Sequence, residues 1–430
     1  MKLKVRLLFI KLSFVLIILN LFLTGRLYAD QMLTWGDCIK EAAKNHPDLI
    51  AAGEIIKQSE ASKQQTASGL FPQVDAQVSG STAQSSASAG NSSKADAYGY
   101  GVTGSQLLFD GVKTINNVKA AQQNIVASQQ SFKFTSTTVR YKLRTAFVNL
   151  LTAQEMLRIA QEIFNIRRGN LELIVLRYES GLEHKGALLT AEADLADAQY
   201  GIDQNKRAVV VAQQELTKEL GRKELISMTV QGDFKVKDEV LVKPDFEALA
   251  KKNPSLAQLI AQKNSAEFSL KSAYGNFAPQ LTGLAGASKA GDHWTPRGNN
   301  WNLGLNLSLP LFEGGLRTAQ VAQARALVNQ LKENERSALD GIIFTLQQSW
   351  ALLQDAIENV NVQYLALKAT EERSKIAQAQ YSIGFIAFDN WIIIEDNLVK
   401  AKRSYLNAQE AALLAEAKWI QAKGEVLEYE

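Results

Sequence analysis

The feature that most restricts what this chain can become is a strand that runs into a very long helix, written twice. Trp301, Leu303, Leu305, Leu307 and Leu309 alternate with Asn302, Gly304, Asn306 and Ser308, the period of a strand with one apolar and one polar face. Leu311-Phe312-Glu313-Gly314 follows. Its counterpart Leu108-Phe109-Asp110-Gly111 stands 203 positions earlier, closing a weaker alternation in which Tyr98, Tyr100 and Val102 are set among Gly99, Gly101 and Thr103. After each junction proline disappears, from residue 111 to 243 and again from 311 onward. A helix over 111–178 would be about 100 Å long at 1.5 Å per residue. A globular core does not need that length, whereas a tube crossing a wide compartment does.

The helical stretches carry a sustained seven-residue repeat. Leu143, Leu150, Leu157, Phe164 and Leu171 are matched 203 positions on, from Leu143 against Leu346, by Leu339, Leu346, Leu353, Val360 and Leu367. Leu188, Leu195, Ile202, Val209 and Leu216 mark one return helix and Leu398, Tyr405 and Trp419 the other. Such a repeat means coiled-coil packing between helices. Between each outgoing and returning helix stands a shared turn, Tyr178-Glu179-Ser180-Gly181-Leu182 and Tyr381-Ser382-Ile383-Gly384-Phe385, where glycine supplies a left-handed residue.

These landmarks divide the chain into two copies of one unit, 30–221 and 244–430, joined by a mixed-charge linker over 222–243 that reads as a belt outside the tube. Each copy opens with a short helix, capped by Thr34 in the first, and a second helix after His46-Pro47 or Asn253-Pro254. Next come a β-hairpin (about 70–109 and 279–312) and a long helical hairpin (111–221 and 313–424). Residues 80–94, rich in Ser, Ala and Gly, and 289–300 read as exposed hairpin loops. The fold class is mainly α with a small β part.

Residues 1–29 read as a secretory leader: Lys2, Lys4, Arg6 and Lys11 accompany the apolar run 12–23, and Leu27-Tyr28-Ala29 ends like a cleavage site. Lys2, Lys4, Lys11, Arg6 and Arg26 lie in it; removing these five from the formal charge of +3 leaves −2, which gives no case for nucleic-acid binding. No later stretch is long and apolar enough for a spanning helix, so a place in a membrane requires a closed barrel. Cys38 is the single cysteine and reads as a buried thiol. His46, His184 and His293 are scattered, without metal-ligand spacing, and read as surface residues. No phosphate loop, nucleophile elbow or zinc motif occurs, so neither an enzyme nor a cofactor is expected.

The doubled strand-to-helix plan, the Leu-Phe-(Asp/Glu)-Gly junctions and the Tyr-x-x-Gly turns resemble TolC-type outer-membrane efflux proteins over the whole mature chain. The resemblance implies a homotrimeric outer-membrane β-barrel, four strands per protomer, continued by a long α-helical coiled-coil barrel in the periplasm. It implies a passive export duct docking a periplasmic adaptor and an inner-membrane transporter, with outer-membrane lipid around the strands. The other reading is a soluble periplasmic coiled-coil scaffold or adaptor. At the inner tip the resemblance marks Tyr178, Gly181, Leu182, Tyr381, Gly384, Phe385, Asp389 and Asn390 for docking and gating, with Ile386, Phe388 and Trp391 adding to an exposed apolar patch. The family's acidic tip positions, six and nine after Gly384, are here Asn390 and Ile393, while Asp389, Glu395 and Asp396 stand on other helix faces. Tyr98, Tyr100, Phe109, Trp294 and Trp301 would form aromatic girdles.

Overall fold

The computed structural model describes residues 31–86, 92–225, 227–236 and 242–427. The leader expected at 1–29 lies outside them, as do parts of the first hairpin loop and of the linker. In chain order the elements are β1 (Gln31–Leu33), α1 (Trp35–Asn45), α2 (Pro47–Ser68), β2 (Gln73–Ser86), β3 (Ser92–Phe109), α3 (Lys113–Glu179), α4 (Lys185–Glu219), β4 (Met228–Val230), α5 (Phe246–Lys251), α6 (Pro254–Gly275), β5 (Gln280–Gly291), β6 (Gly298–Ser308), α7 (Leu316–Ser382) and α8 (Phe388–Lys423). The series of two helices, a hairpin, a 67-residue helix and a return helix therefore occurs twice.

Local chemistry sets the element ends. Thr34 and Asp37 form a reciprocal capping box at α1. The Nδ1 atom of His46 and the Oδ1 atom of Asn253 accept from the first turns of α2 and α6, with proline in that turn. His46 is thus not a surface residue: it is 4 % exposed and also meets Glu219 at 3.4 Å. At the strand-to-helix junction Gly111 sits at φ +64°. A Cβ there would lie 2.3 Å from Ala278 Cβ and 2.9 Å from Gly275 O, so only glycine lets the two copies cross.

The heptad leucines form the core where the long helices are thickest. Leu143, Leu150, Leu346 and Leu353 have no exposed surface, while Leu157, Phe164, Leu171, Leu339, Val360 and Leu367 are half-buried. Helix α3 packs on α2, α4, α6 and α8, whereas α7 has chiefly α6 and α8. Phe344, Leu352, Val362, Leu365 and Ile376 therefore lie exposed along α7. The linker is more than an outside belt. Its β4 pairs in parallel with β1, and Met228 and Val230 are buried in the cluster around Leu143 and Phe147. Cys38 is fully buried there, and burial pushes its thiol up to about 12.

The other sheet is antiparallel, ordered β2-β3-β5-β6. Residues in register share a face. Val74, Gly104, Ala285 and Leu303 form one row, and Ala76, Val102, Ala287 and Trp301 the next. The rows between them, Asp75, Thr103, Gly286 and Asn302, then Gln77, Gly101, Ser288 and Asn300, belong to the opposite face. From the Leu281–Leu307 pair to the Ala287–Trp301 pair one face is chiefly apolar and the other polar; the next row on the apolar side, Val78, Tyr100, Lys289 and Asn299, brings in a charge. The sequence had placed loops where strands continue: β2 runs to Ser86, β3 starts at Ser92, and in the second hairpin only 292–297 lie outside strands. A strand needs its backbone ladder more than large side chains, so Ser, Ala and Gly suffice there.

Candidate functional site

Two places concentrate what this fold can do: the apolar face of the sheet and the helical turns at the opposite end. On the sheet, Trp301, Leu303, Leu305 and Leu307 are 82, 79, 73 and 66 % exposed, and Leu309, just past β6, is 49 % exposed. No soluble surface carries such a row without a cover of lipid or protein. Among the girdle candidates, Tyr98 meets Trp294 edge-on at 5.6 Å at one rim, and Phe109 stands at the other end of β3. Trp301 ends the run of large apolar side chains on β6, and the next row on its face holds Tyr100, Lys289 and Asn299.

At the turns both helices end in the same motif. Gly181 (φ +71°) donates to Tyr178 O at 3.0 Å and Leu182 to Arg177 O at 2.8 Å; Gly384 (φ +78°) donates to Tyr381 O at 3.0 Å and Phe385 to Gln380 O at 2.8 Å. These paired bonds satisfy carbonyls left over at a helix end and need a left-handed residue. A Cβ would meet nothing within 4 Å at either glycine, so the requirement is backbone conformation alone.

The two tyrosines diverge. Tyr178 is exposed, whereas Tyr381 is 1 % exposed. Trp391 stacks on the Tyr381 ring at 4.4 Å, Phe388 meets its edge, and the Arg177 guanidinium lies 4.7 Å from the ring centroid. The Tyr381 hydroxyl donates to Glu183 Oε2 at 2.7 Å, and Arg177 Nη1 donates to Tyr381 O at 3.3 Å. Burial, then the bond to Glu183, holds the phenol well above its ordinary value. It therefore stays a donor, and the pair ties the first turn to the second.

The expected apolar docking patch is smaller than the sequence suggests. Phe388 and Trp391 are buried and Ile386 is half-buried, because they build the core around Tyr381. Leu182, Ile383 and Phe385 remain exposed at 66, 80 and 75 %. Asp389, Asn390 and Ile393 are also exposed. Glu395 points inward instead, accepting from Ser374 Oγ at 2.5 Å, and burial holds its carboxyl above the usual range. Asp396 pairs with Arg167, which is itself buried and also 3.5 Å from Asp194. One layer further from the turns, Glu162 pairs with Lys402. Sequence reasoning missed Arg167, Arg177 and Glu183. Their signal was a charge in one copy whose counterpart 203 positions later is neutral. Among the described residues no cluster of three or more metal-ligating side chains exists.

Comparison with known proteins agrees with this architecture. The chain resembles solved channels at 17–19 % identity: CusC (TM-score 0.80, 90 % of this chain and 91 % of that one), the CmeC outer membrane channel of Campylobacter jejuni (0.79, 90 % and 84 %) and the open MtrE outer membrane channel of Neisseria gonorrhoeae (0.79, 92 % and 90 %). Outer membrane protein TolC of Salmonella enteritidis is 26 % identical over 203 residues, and that of Escherichia coli K12 24 % over 201. These stretches cover 44 and 43 % of this chain and only 41 and 40 % of the curated relatives' own length. The family model described as outer membrane efflux protein matches residues 38–222 and 247–428. Strand rows, paired long hairpins and this match over both copies lead to one statement: the chain belongs to the outer membrane efflux protein family.

Proposed function

We propose that the chain is one protomer of a passive export duct in the outer membrane. Copies close the four-stranded sheet into a shared barrel and the helical hairpins into a hollow periplasmic tube, three copies as the resemblance to TolC-type proteins implies. The observation that carries this reading is the pair of free edges, β2 and β6, on a sheet with one apolar face. A spanning sheet must have no open edge in lipid.

The duplication supplies the closing register. Tyr98 pairs with Gly291 inside the chain. Moving Tyr98 on by 203 and Gly291 back by 207, the spacing between the first strands of the two hairpins (Gln73 to Gln280), sets Trp301 against Gln84 of the adjacent copy. Both positions have the parity of the apolar face, so the ring closes with that face continuous toward lipid and the polar face lining the lumen. The end opposite the sheet, with Leu182, Ile383 and Phe385 exposed around Gly181 and Gly384, serves as the docking surface for a periplasmic adaptor, beyond which an inner-membrane transporter supplies energy. The Tyr381–Glu183 and Arg167–Asp396 contacts hold that end narrow.

Two measurements on the same membranes test the reading. Expected are heat-modifiable oligomers in the outer-membrane fraction and a steady single-channel conductance in planar bilayers. Release of the chain with soluble periplasm would favour the scaffold instead.

A further inference from the structure

The two copies meet inside each chain along a seam rich in charge. Arg140 reaches Val426 O at 2.8 Å and Glu425 at 3.5 Å, and Arg144 lies 3.7 Å from Glu416. Glu162 pairs with Lys402, Arg167 with Asp396, and Arg177 and Glu183 with Tyr381. Six charged residues of the first copy thus bind the second. At the repeat spacing of 203 their counterparts are Ile343, Gln347, Leu365, Thr370, Gln380 and Ile386. None carries a charge. On the other side of the seam, the counterparts of Glu416, Lys402 and Asp396 are Gln213, Gln199 and Ala193, again neutral; only Glu425 has a charged counterpart, Arg222, which pairs with Glu41 of its own copy.

Burial shows what this second set of positions awaits. Ile159 on α3 is 6 % exposed because α8 covers it, whereas its counterpart Val362 on α7 is 58 % exposed. Leu365, the counterpart of Glu162, is also 58 % exposed, and Ala193, Ala196 and Gln199 on α4 are exposed in turn. Charged side chains at these positions would be stranded on a bare face, but neutral ones suit a surface that another copy of α4 covers.

We infer that adjacent copies meet along a version of the seam found inside each chain that lacks its ion pairs, with α4 of one copy seated on α7 of the next at the repeat-related register. This rests on the ring reading above and adds what the ring is held by: apolar packing between copies, ion pairs within them. Assembly is then indifferent to salt, while the relative position of the two hairpins in one chain is set by charge. Ion pairs fix geometry more than they stabilise, so the inner end can loosen inside each chain without opening the ring. On this strip Asp203, the counterpart of buried Leu406, is satisfied within one copy by Lys206 and Gln199 on its own helix, and Arg373, the counterpart of Asn170, stands exposed on α7.

The test recreates the Arg167–Asp396 pair across copies. In full-length chain in outer membranes, Thr370→Arg alone and Ala193→Asp alone should each lower the heat-modifiable trimer at least tenfold, because each buries an unpaired charge. The double variant should restore it. Both residues belong to positions that are not buried within one protomer, so a folded monomer is expected in every case. Single variants that assemble normally, or a double variant no better than the singles, overturn the inference. The unaltered chain should give the same trimer yield at low and high ionic strength, and a tenfold fall with salt also overturns it. If the unaltered chain forms no trimer at all, the ring reading itself fails.

Discussion

Replacing Leu303 by arginine asks which side of the sheet meets lipid, and how deeply. The chiefly apolar face runs from the Leu281–Leu307 pair to the Tyr98–Gly291 pair, ten residue steps along β5, with Lys289 and Asn299 one row inside the far rim, where a lysine carries its ammonium out to the interface. That is about 33 Å of strand at about 3.3 Å per residue. At a barrel tilt of about 40° it gives about 25 Å of height, matching the apolar band of an outer-membrane barrel. Leu303 stands four residues from Leu307, roughly 10 Å up and near mid-depth. Arginine costs about 2–4 kcal/mol at that depth and about 0–1 near the interface. Leu303→Arg should therefore lower stability by about 2–4 kcal/mol, Leu307→Arg by at most about 1 kcal/mol. Asn302→Arg, one residue away on the polar face, should leave stability unchanged and alter conductance. Urea titration of the chain refolded into vesicles measures the first two, and bilayer recording the third. Equal losses at 302 and 303 would refute the assignment of faces.

Leu346→Ala and Leu353→Ala, in a cluster with Ala250 and Trp419 and without exposed surface, should each cost about 2–5 kcal/mol in thermal or urea unfolding; half-buried Leu367→Ala should cost less. Gly111→Ala drives a Cβ into Ala278 and Gly275 and should lose about 1–3 kcal/mol beyond its backbone strain, whereas Gly314→Ala, at φ +59° in open space, should lose the strain alone, about 1–2 kcal/mol. Gly384→Val forces a branched residue into a left-handed turn, and export should fail while the heat-modifiable oligomer persists; an oligomer lost together with export would instead make the turn a folding element. Burial raises the Glu395 carboxyl above its ordinary 4.5, so the native state favours its protonated form, and that contribution is present below pH 4.5 and lost as pH rises through the raised value. Glu395→Gln should accordingly raise Tm at neutral pH and give no gain below pH 4.5; a gain independent of pH would refute the buried charge as its cause.

The long elements were legible because each is specified by repetition. Heptads 203 residues apart, proline-free stretches and Gly181 and Gly384 mark helices whose ends match the sequence closely. The turns at 80–94 were misread because composition reports side-chain burial, and strands on an extended hairpin bury little while keeping their ladder. Trp391 and Phe388 were misread for the opposite reason. An apolar run after a turn looks like exposed surface until the stacking partner, Tyr381, is known to fold over it. His46 followed the same pattern: a helix start was visible in His-Pro, but neither its cap role nor the approach of Glu219 from 173 residues away was.

Duplication explains why the informative residues were the ones that break the repeat. A repeated unit in a closed ring meets itself at two kinds of seam, one inside the chain and one between chains. Identical copies would give both seams the same contacts. Here Arg167 and Thr370 occupy equivalent places, as do Glu183 and Ile386, and only the first of each pair is charged. Buried charges without partners are strongly destabilising, so a chain that must fold before it assembles does better with its ion pairs where both partners are always present. At the other seam the pairing partners are neutral, and Asp203 is already bonded by Lys206 of its own helix, so the lone protomer leaves none of these pairs half-made. Tyr178 and Tyr381 show the consequence at a single site. They share a motif, yet one is covered by Arg177 and Glu183 of its own chain and the other stays exposed in the protomer.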